Sequence, residues 1–252
     1  MKIHLHSCIA FLLAFIGQLQ IACSQSLPSD TTKANAFRGS VGLDFRFSGG
    51  NIKQLLIRGN ANITVEEKNF LFNPNLLFTR NVIFGNKLEA DVFSFLLIKA
   101  WHRAKIYPVA SLVYENSLVR SIDERYMGGA GVGWRIISSK TARLELIQLL
   151  MYEETRFAIN KELNYEGART HTSFNGKYII VQDRLSFEHR IFYSLLLRNT
   201  ANHRLRTLLT LRVPVTKKFS LTANLDYVYE SIVDERRSKE NYITTGGVSF
   251  QF

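Results

Sequence analysis

The sequence predicts an all-β chain: an up-and-down antiparallel transmembrane β-barrel of about twelve strands over residues 36–252. Three observations predict it. Apolar and polar residues alternate with a period of two in segments of about ten residues, separated by polar or glycine-rich breaks. After residue 24, no stretch keeps a helical apolar period or stays apolar for the roughly 18 residues a membrane helix needs. The chain also finishes on an alternating apolar strand, Thr245 to Phe252, which would be a pairing hazard if left as a free edge but is safe in a closed barrel.

The N-terminal segment comes first. Residues 1–24 read as a cleaved secretory signal, with Lys2 in a short basic start, an apolar run from Ile9 to Ile16, and small residues Ala22 and Ser24 ahead of Gln25. Cys23 raises a lipid-anchored alternative, against which Gln20 stands where a lipobox carries an aliphatic residue. Residues 25–35 then form a short periplasmic segment. Both cysteines, Cys8 and Cys23, lie in the signal, so cleavage after Ser24 leaves no thiol for disulfides, thiolate metal sites or cysteine nucleophiles.

The first strand alternates most cleanly. Val41, Leu43, Phe45 and Phe47 share one face, while Arg38, Ser40, Gly42, Asp44, Arg46 and Ser48 share the other. The second sets Leu55, Ile57, Ala61, Ile63 and Val65 against Gln54, Arg58, Asn60, Asn62 and Thr64. Further strands are expected near 69–81, 88–101, 105–116, 125–137 and 141–153, then near 174–188 and 190–199, where Asp183 falls on the lipid face of the expected register. Leu205, Leu209, Leu211 and Val213 next oppose Arg204, Arg206 and Arg212; Phe219, Leu221, Leu225, Tyr227 and Tyr229 oppose Ser220, Thr222, Asn224 and Asp226. The last strand resembles the C-terminal signal by which outer-membrane barrels are recognised for assembly, with Thr245, Gly247, Phe250 and Phe252 as its marks.

Connections divide accordingly. Tight turns are expected at 66–69, near His102-Arg103, at 138–141, near His189-Arg190 and at 216–218; longer ones are expected at 117–124, 155–172 and 231–240. An even strand count puts both termini in the periplasm of a bacterial outer membrane. Removing 24 of 252 residues leaves 228, or 19 per strand and connection, which leaves no room for a plug or second domain. Twelve strands fall between small filled barrels and wide aqueous ones, so a narrow lumen is expected.

In order and spacing, the Ser48-Gly49-Gly50-Asn51 turn, the run from Arg125 to Trp134, and the tail from Leu211 through Tyr229-Glu230-Ser231 resemble the salt-induced outer-membrane protein family, domain of unknown function 481. The resemblance covers most of the chain after the signal. It implies an outer-membrane barrel and leaves activity open. The 155–172 connection departs from the short one the resemblance implies.

Composition narrows function. Thirty-two Lys and Arg against 21 Asp and Glu give a net charge of +11, spread through strands with no basic helix or cluster, so no nucleic-acid partner is expected. Gly128 to Gly133 lacks the lysine of a phosphate-binding loop and reads as strand bending instead. Arg38, Arg46, Arg58, Arg198, Arg204, Arg206 and Arg212, with Asp44, Asp226 and Glu230, are expected to line the lumen. They either favour anions in an open pore or close it by salt bridges; a turn centred on Thr216 sets Arg206 opposite Asp226.

The catalytic alternative is His171 and Ser173, two apart on one strand near the outer leaflet, as in a lipid esterase. His102, His189 and His203 sit at separate breaks and make no metal site; no cofactor is expected. The reading is therefore a narrow porin-like channel for small solutes, anions among the candidates, or an envelope-stress barrel, without catalysis. A lipid hydrolase, and a structural or adhesive barrel using the 155–172 connection, stay open. Expected partners are outer-membrane lipids, lipopolysaccharide and the barrel assembly machinery.

Overall fold

Alternation sends one face of every strand outward and the other inward, and twelve such strands close on themselves. The computed structural model describes residues 36–252 apart from 49–53, 84–85, 183, 234 and 236. The signal, the 25–35 segment, the Gly49-Gly50-Asn51 turn and Asp183 lie outside the described residues.

Among the described residues the strands are β1 (Ala36–Ser48), β2 (Gln54–Glu66), β3 (Phe70–Ile83), β4 (Asn86–Ala100), β5 (Ile106–Ser117) and β6 (Ile122–Ser138). They continue as β7 (Ala142–Phe157), β8 (Tyr165–Val181), β9 (Leu185–Leu196), β10 (His203–Pro214), β11 (Phe219–Glu230) and β12 (Glu240–Gln251). Each pairs antiparallel with its chain neighbours, and β1 pairs with β12, from Ser40 opposite Gln251 to Phe45 opposite Gly246. No edge remains.

The exposure pattern inverts that of a soluble protein. Val41, Leu43, Phe45, Leu112, Val132, Leu150, Leu211, Phe219 and Leu221 are exposed on the outer surface. Asp44, Arg58, Glu115, Arg125, Glu153, Arg169, Asp226 and Glu230 are buried inside. Charged residues are almost never fully buried unless paired, and a broad apolar exterior fits lipid rather than water.

One wall of the interior is apolar. Tyr107, Val109, Met127, Ile147, Leu149 and Met151 from β5, β6 and β7 pack together with Leu97 and Val113. Gly129 and Gly131 of β6 make room for it: a Cβ at either would overlap the β7 backbone at Leu150 or Gln148. The glycine run is thus a device of close strand approach, and no side chain can replace it without moving β7.

Three boundaries differ from the sequence expectation. β7 runs on to Phe157 and β8 begins at Tyr165, so the expected 155–172 connection shrinks to 158–164. That connection holds a short 3-10 turn, Lys161–Leu163, whose Asn160 side chain accepts from the Glu162 amide at 3.0 Å. The cause is legible afterwards. Tyr165, Arg169, His171 and Ser173 face inward, but Glu166, Ala168, Thr170 and Thr172 on the outer face are too polar or small to mark a lipid-facing strand. The turn expected near His189-Arg190 therefore moves to 182–184, and both residues lie within β9. The expected 117–124 connection contracts to 118–121.

Candidate functional site in the lumen

Strand parity brings the inward charges together in the half of the barrel away from the termini. Glu153 of β7 accepts a hydrogen bond from Arg204 Nη2 at 2.6 Å and is ion-paired with Arg169 Nε at 2.5 Å and Arg125 Nε at 3.3 Å. Thr155 and Tyr165 hydroxyls complete its shell at 2.7 and 2.9 Å. Glu230 of β11 takes Arg125 at 2.8 Å and Arg120 at 3.1 Å. Glu115 of β5 takes Arg125 at 2.5 Å, Arg206 at 3.5 Å and the Arg120 guanidinium. Asp226 holds Arg58 at 2.7 Å and Arg206 at 3.0 Å. Because β5 and β6 lie across the ring from β11, these pairs cross the lumen. They fill it as well as line it.

A second contact crosses below them. Phe93 of β4 lies against the Arg206 guanidinium of β10, 3.9 Å from ring centroid to Cζ, and Phe95 reaches Arg190 of β9 at 5.7 Å. Arg190 sits level with Leu208 on β10, so it continues the inward row Arg204, Arg206 toward Arg212. Arg212 donates to Ser249 Oγ at 2.6 Å. Among the described residues, neither Arg190 nor Arg212 has a carboxylate within ion-pair distance. Beside the Phe93 contact is a small recess whose lining includes Arg58, Thr79, Arg120, Arg206 and Asp226.

The far mouth is clasped. The 118–121 connection folds inward: Ser117 Oγ accepts from the Arg120 amide at 3.2 Å, and Ser121 is buried in a left-handed conformation (φ 56°). Arg237, in the connection between β11 and β12 on the opposite side of the ring, donates to Ser121 Oγ at 3.0 Å and to the Leu118 carbonyl at 3.3 Å.

The expected site residues distribute unevenly. Arg58, Arg204, Arg206, Asp226 and Glu230 meet in the network. Arg206 and Asp226 form an ion pair, but Arg206 is level with Val228, and paired residues sum to 434 rather than the expected 432. The shift of two preserves the face, and the long arginine reaches diagonally. Asp44 faces the lumen and accepts from Asn224 at 3.0 Å, Thr222 at 3.1 Å and Asn60 at 3.3 Å. Arg46 is exposed near the far end, and Arg38 is exposed at the near rim, paired with Glu66 at 2.7 Å. Arg198 does not line the lumen: β9 ends at Leu196, and Arg198 is exposed in the following connection.

His171 and Ser173 both face inward within β8 instead of lying at its lipid-side start. Ser173 Oγ donates to Asn175 Oδ1 at 2.9 Å, and His171 Nδ1 is buried without a partner among the described residues. Their described hydrogen bonds do not join them. Thr245 and Gly247 face inward; a Cβ at Gly247 would overlap the Asp44 side chain at the closing seam. Phe250 and Phe252 face outward, with Phe250 packed on Phe219 at 5.0 Å and Phe252 on Phe37 at 6.1 Å.

His102 is buried against Glu66 at 3.1 Å, His189 packs among Phe174, Tyr178 and Phe187 on the outer face, and His203 lies between Tyr193 and Tyr229. Among the described residues no group of three or more His, Cys, Asp or Glu could hold a metal.

Glu115, Arg125, Glu153, Arg169 and Arg190 were not singled out by sequence. The first three fall in expected strands at inward parity, so counting charges on that face would have found them. Arg120 sits in a connection and carries no such signal.

The fold and its charged interior define an outer-membrane β-barrel of porin-like build. The chain belongs to the family of unknown function DUF481, which matches residues 98–252. No curated protein matches it. Among solved structures, the COG4313 outer membrane channel from Pseudomonas putida F1 is similar at TM-score 0.50 and 12% identity, over 90% of this chain and 100% of that one. The NanC porin is similar at TM-score 0.49 and 14% identity, over 85% of this chain and 99% of that one.

Proposed function

We propose that this barrel is a narrow channel of the bacterial outer membrane, with both termini periplasmic, that passes small solutes and favours anions. The observation that carries the reading is the inward row Arg204, Arg206, Arg190 and Arg212, whose last two members stand outside ion-pair distance of any carboxylate among the described residues, the Glu188 between them being paired with Lys177 at 2.7 Å. Guanidinium groups along a low-dielectric wall raise the local anion concentration and hinder cations. The outer network contributes little net field, because its arginines are matched by carboxylates; its role is to narrow the path. Lipopolysaccharide and lipid are the surroundings of the apolar face, and Thr245, Gly247, Phe250 and Phe252 are the strand that the assembly machinery would read.

The test is single-channel conductance of the refolded protein in a planar bilayer, with reversal potential under a salt gradient. Discrete steps with anion preference are expected, and Arg212→Glu should move the reversal potential toward cations. A correctly folded barrel that passes no current would remove the channel reading.

A further inference from the structure

We propose that the outer face of β7 is a contact surface between two copies of this barrel, centred on Gln148. The inference does not depend on conduction; it needs only a barrel in lipid. Gln148 points outward near the middle of β7, and its neighbours on that face are Leu144, Leu146, Leu150 and Tyr152. A primary amide is thereby set at the depth of the lipid hydrocarbon, where a polar group without a hydrogen bond is costly. The barrel satisfies it only in part. Its Oε1 accepts from the Thr172 hydroxyl of β8 at 2.6 Å, and its Nε2 donates to the Leu149 carbonyl at a long 3.4 Å. The second N–H and the remaining lone pair of Oε1 have no partner among the described residues.

Other polar groups on the outer face are accommodated by the barrel itself. Ser94 and Thr207 are short hydroxyls, and His189 is buried among Phe174, Tyr178 and Phe187. Gln148 is long and exposed.

The open donor and acceptor name the occupant. They lie side by side, so the amide is complementary to a second copy of itself. Copies in one membrane share their orientation, and a two-fold axis along the barrel brings equal depths together. Each Gln148 can then donate to the other. Around that axis β6 of one copy faces β8 of the other, and both are small there: Gly128 and Ala130 on β6, Ala168 and Thr170 on β8. Small side chains let the two walls come close enough for the amides to bond. Above them the rim carries Arg156 and Arg198 among Glu124, Glu154 and Glu166, so no single sign of charge faces the second copy.

The test uses the chain from residue 25, which contains no cysteine. Leu150→Cys places one thiol beside the axis and leaves Gln148 intact, while Leu43→Cys places one on β1, six places round the ring. In dilute lipid vesicles a short bismaleimide should link the Leu150→Cys barrel into dimers and leave Leu43→Cys monomeric. Adding Gln148→Leu, which leaves the inward face untouched, should raise the protein-to-lipid ratio needed for linking about tenfold. Gln148→Ala serves if that variant fails to refold. Energy transfer between copies labelled at Lys140→Cys, in the turn between β6 and β7, gives a second readout with no reaction at the interface.

Equal linking of Leu150→Cys and Leu43→Cys would mean random collision and overturn the contact, as would energy transfer no greater than dilution predicts. Energy transfer without Leu150→Cys linking would place the contact on another wall and overturn it too. Linking that neither Gln148 variant weakens would remove the amide from its centre and overturn the assignment.

Discussion

Phe93 on β4 and Arg206 on β10 touch across the lumen, 3.9 Å from ring centroid to guanidinium carbon, although their strands stand six places apart on a ring of twelve. The contact spans the lumen at its level and holds the arginine that also grips Asp226. Phe93→Ala should therefore enlarge the path. Larger conductance steps are expected, with a stability loss of about 1 kcal/mol attributable to the lost cation–π contact. Unchanged conductance would place the constriction elsewhere.

Arg125 is buried at the meeting of Glu115, Glu153 and Glu230. Desolvating a charge is costly, and removing one member strands the others in the interior. Arg125→Gln should destabilise the barrel by about 3–5 kcal/mol, measured by reversible urea unfolding in lipid vesicles. A loss within error of zero would mean that water reaches the three carboxylates.

Gly131 stands where a Cβ would overlap the Gln148 carbonyl oxygen of β7. The obstacle is backbone, which cannot rotate away as a side chain can. Gly131→Ala should cost at least about 1–3 kcal/mol and lower refolding yield. Normal yield and stability would show that β6 and β7 separate readily.

Arg237 joins two connections from opposite sides of the mouth through Ser121 and Leu118. Because the contact is partly solvated, its loss should cost no more than about 1 kcal/mol. Arg237→Ala should nevertheless raise the fraction of time the channel conducts, in single-channel records. An unchanged open fraction would mean that the clasp is not a gate.

Ser173 donates to Asn175 rather than bonding His171. Ser173→Ala is expected to leave any ester turnover by the purified barrel unchanged. Loss of a measurable phospholipid or lipopolysaccharide esterase activity on that change would restore the catalytic reading.

What could be read from sequence was whatever depends on neighbours in the chain. The alternation of Val41, Leu43 and Phe45 against Gly42 and Asp44 is local, and it sufficed for strand, face and count. It failed between 155 and 173, where the outward residues Glu166, Ala168, Thr170 and Thr172 are polar or small. There the strand is defined by its partners, as Leu149 opposite His171 and Met151 opposite Arg169.

The candidate site was half legible for the same reason. Parity alone turned Arg58, Arg204, Arg206, Asp226 and Glu230 inward, and the structure brings them together. Parity could not say that Arg206 reaches Asp226 diagonally, that Arg120 leaves its connection to join the network, or that Phe93 meets Arg206 from the opposite wall. The sequence by itself determined a closed β-barrel with an apolar exterior and a charged interior, because a period of two fixes which way each side chain points. Only the tertiary structure decided that the interior is crossed by side chains rather than merely lined by them. Contacts between residues more than a hundred positions apart, such as Arg125 and Glu230, depend on ring closure and register, which no local pattern encodes.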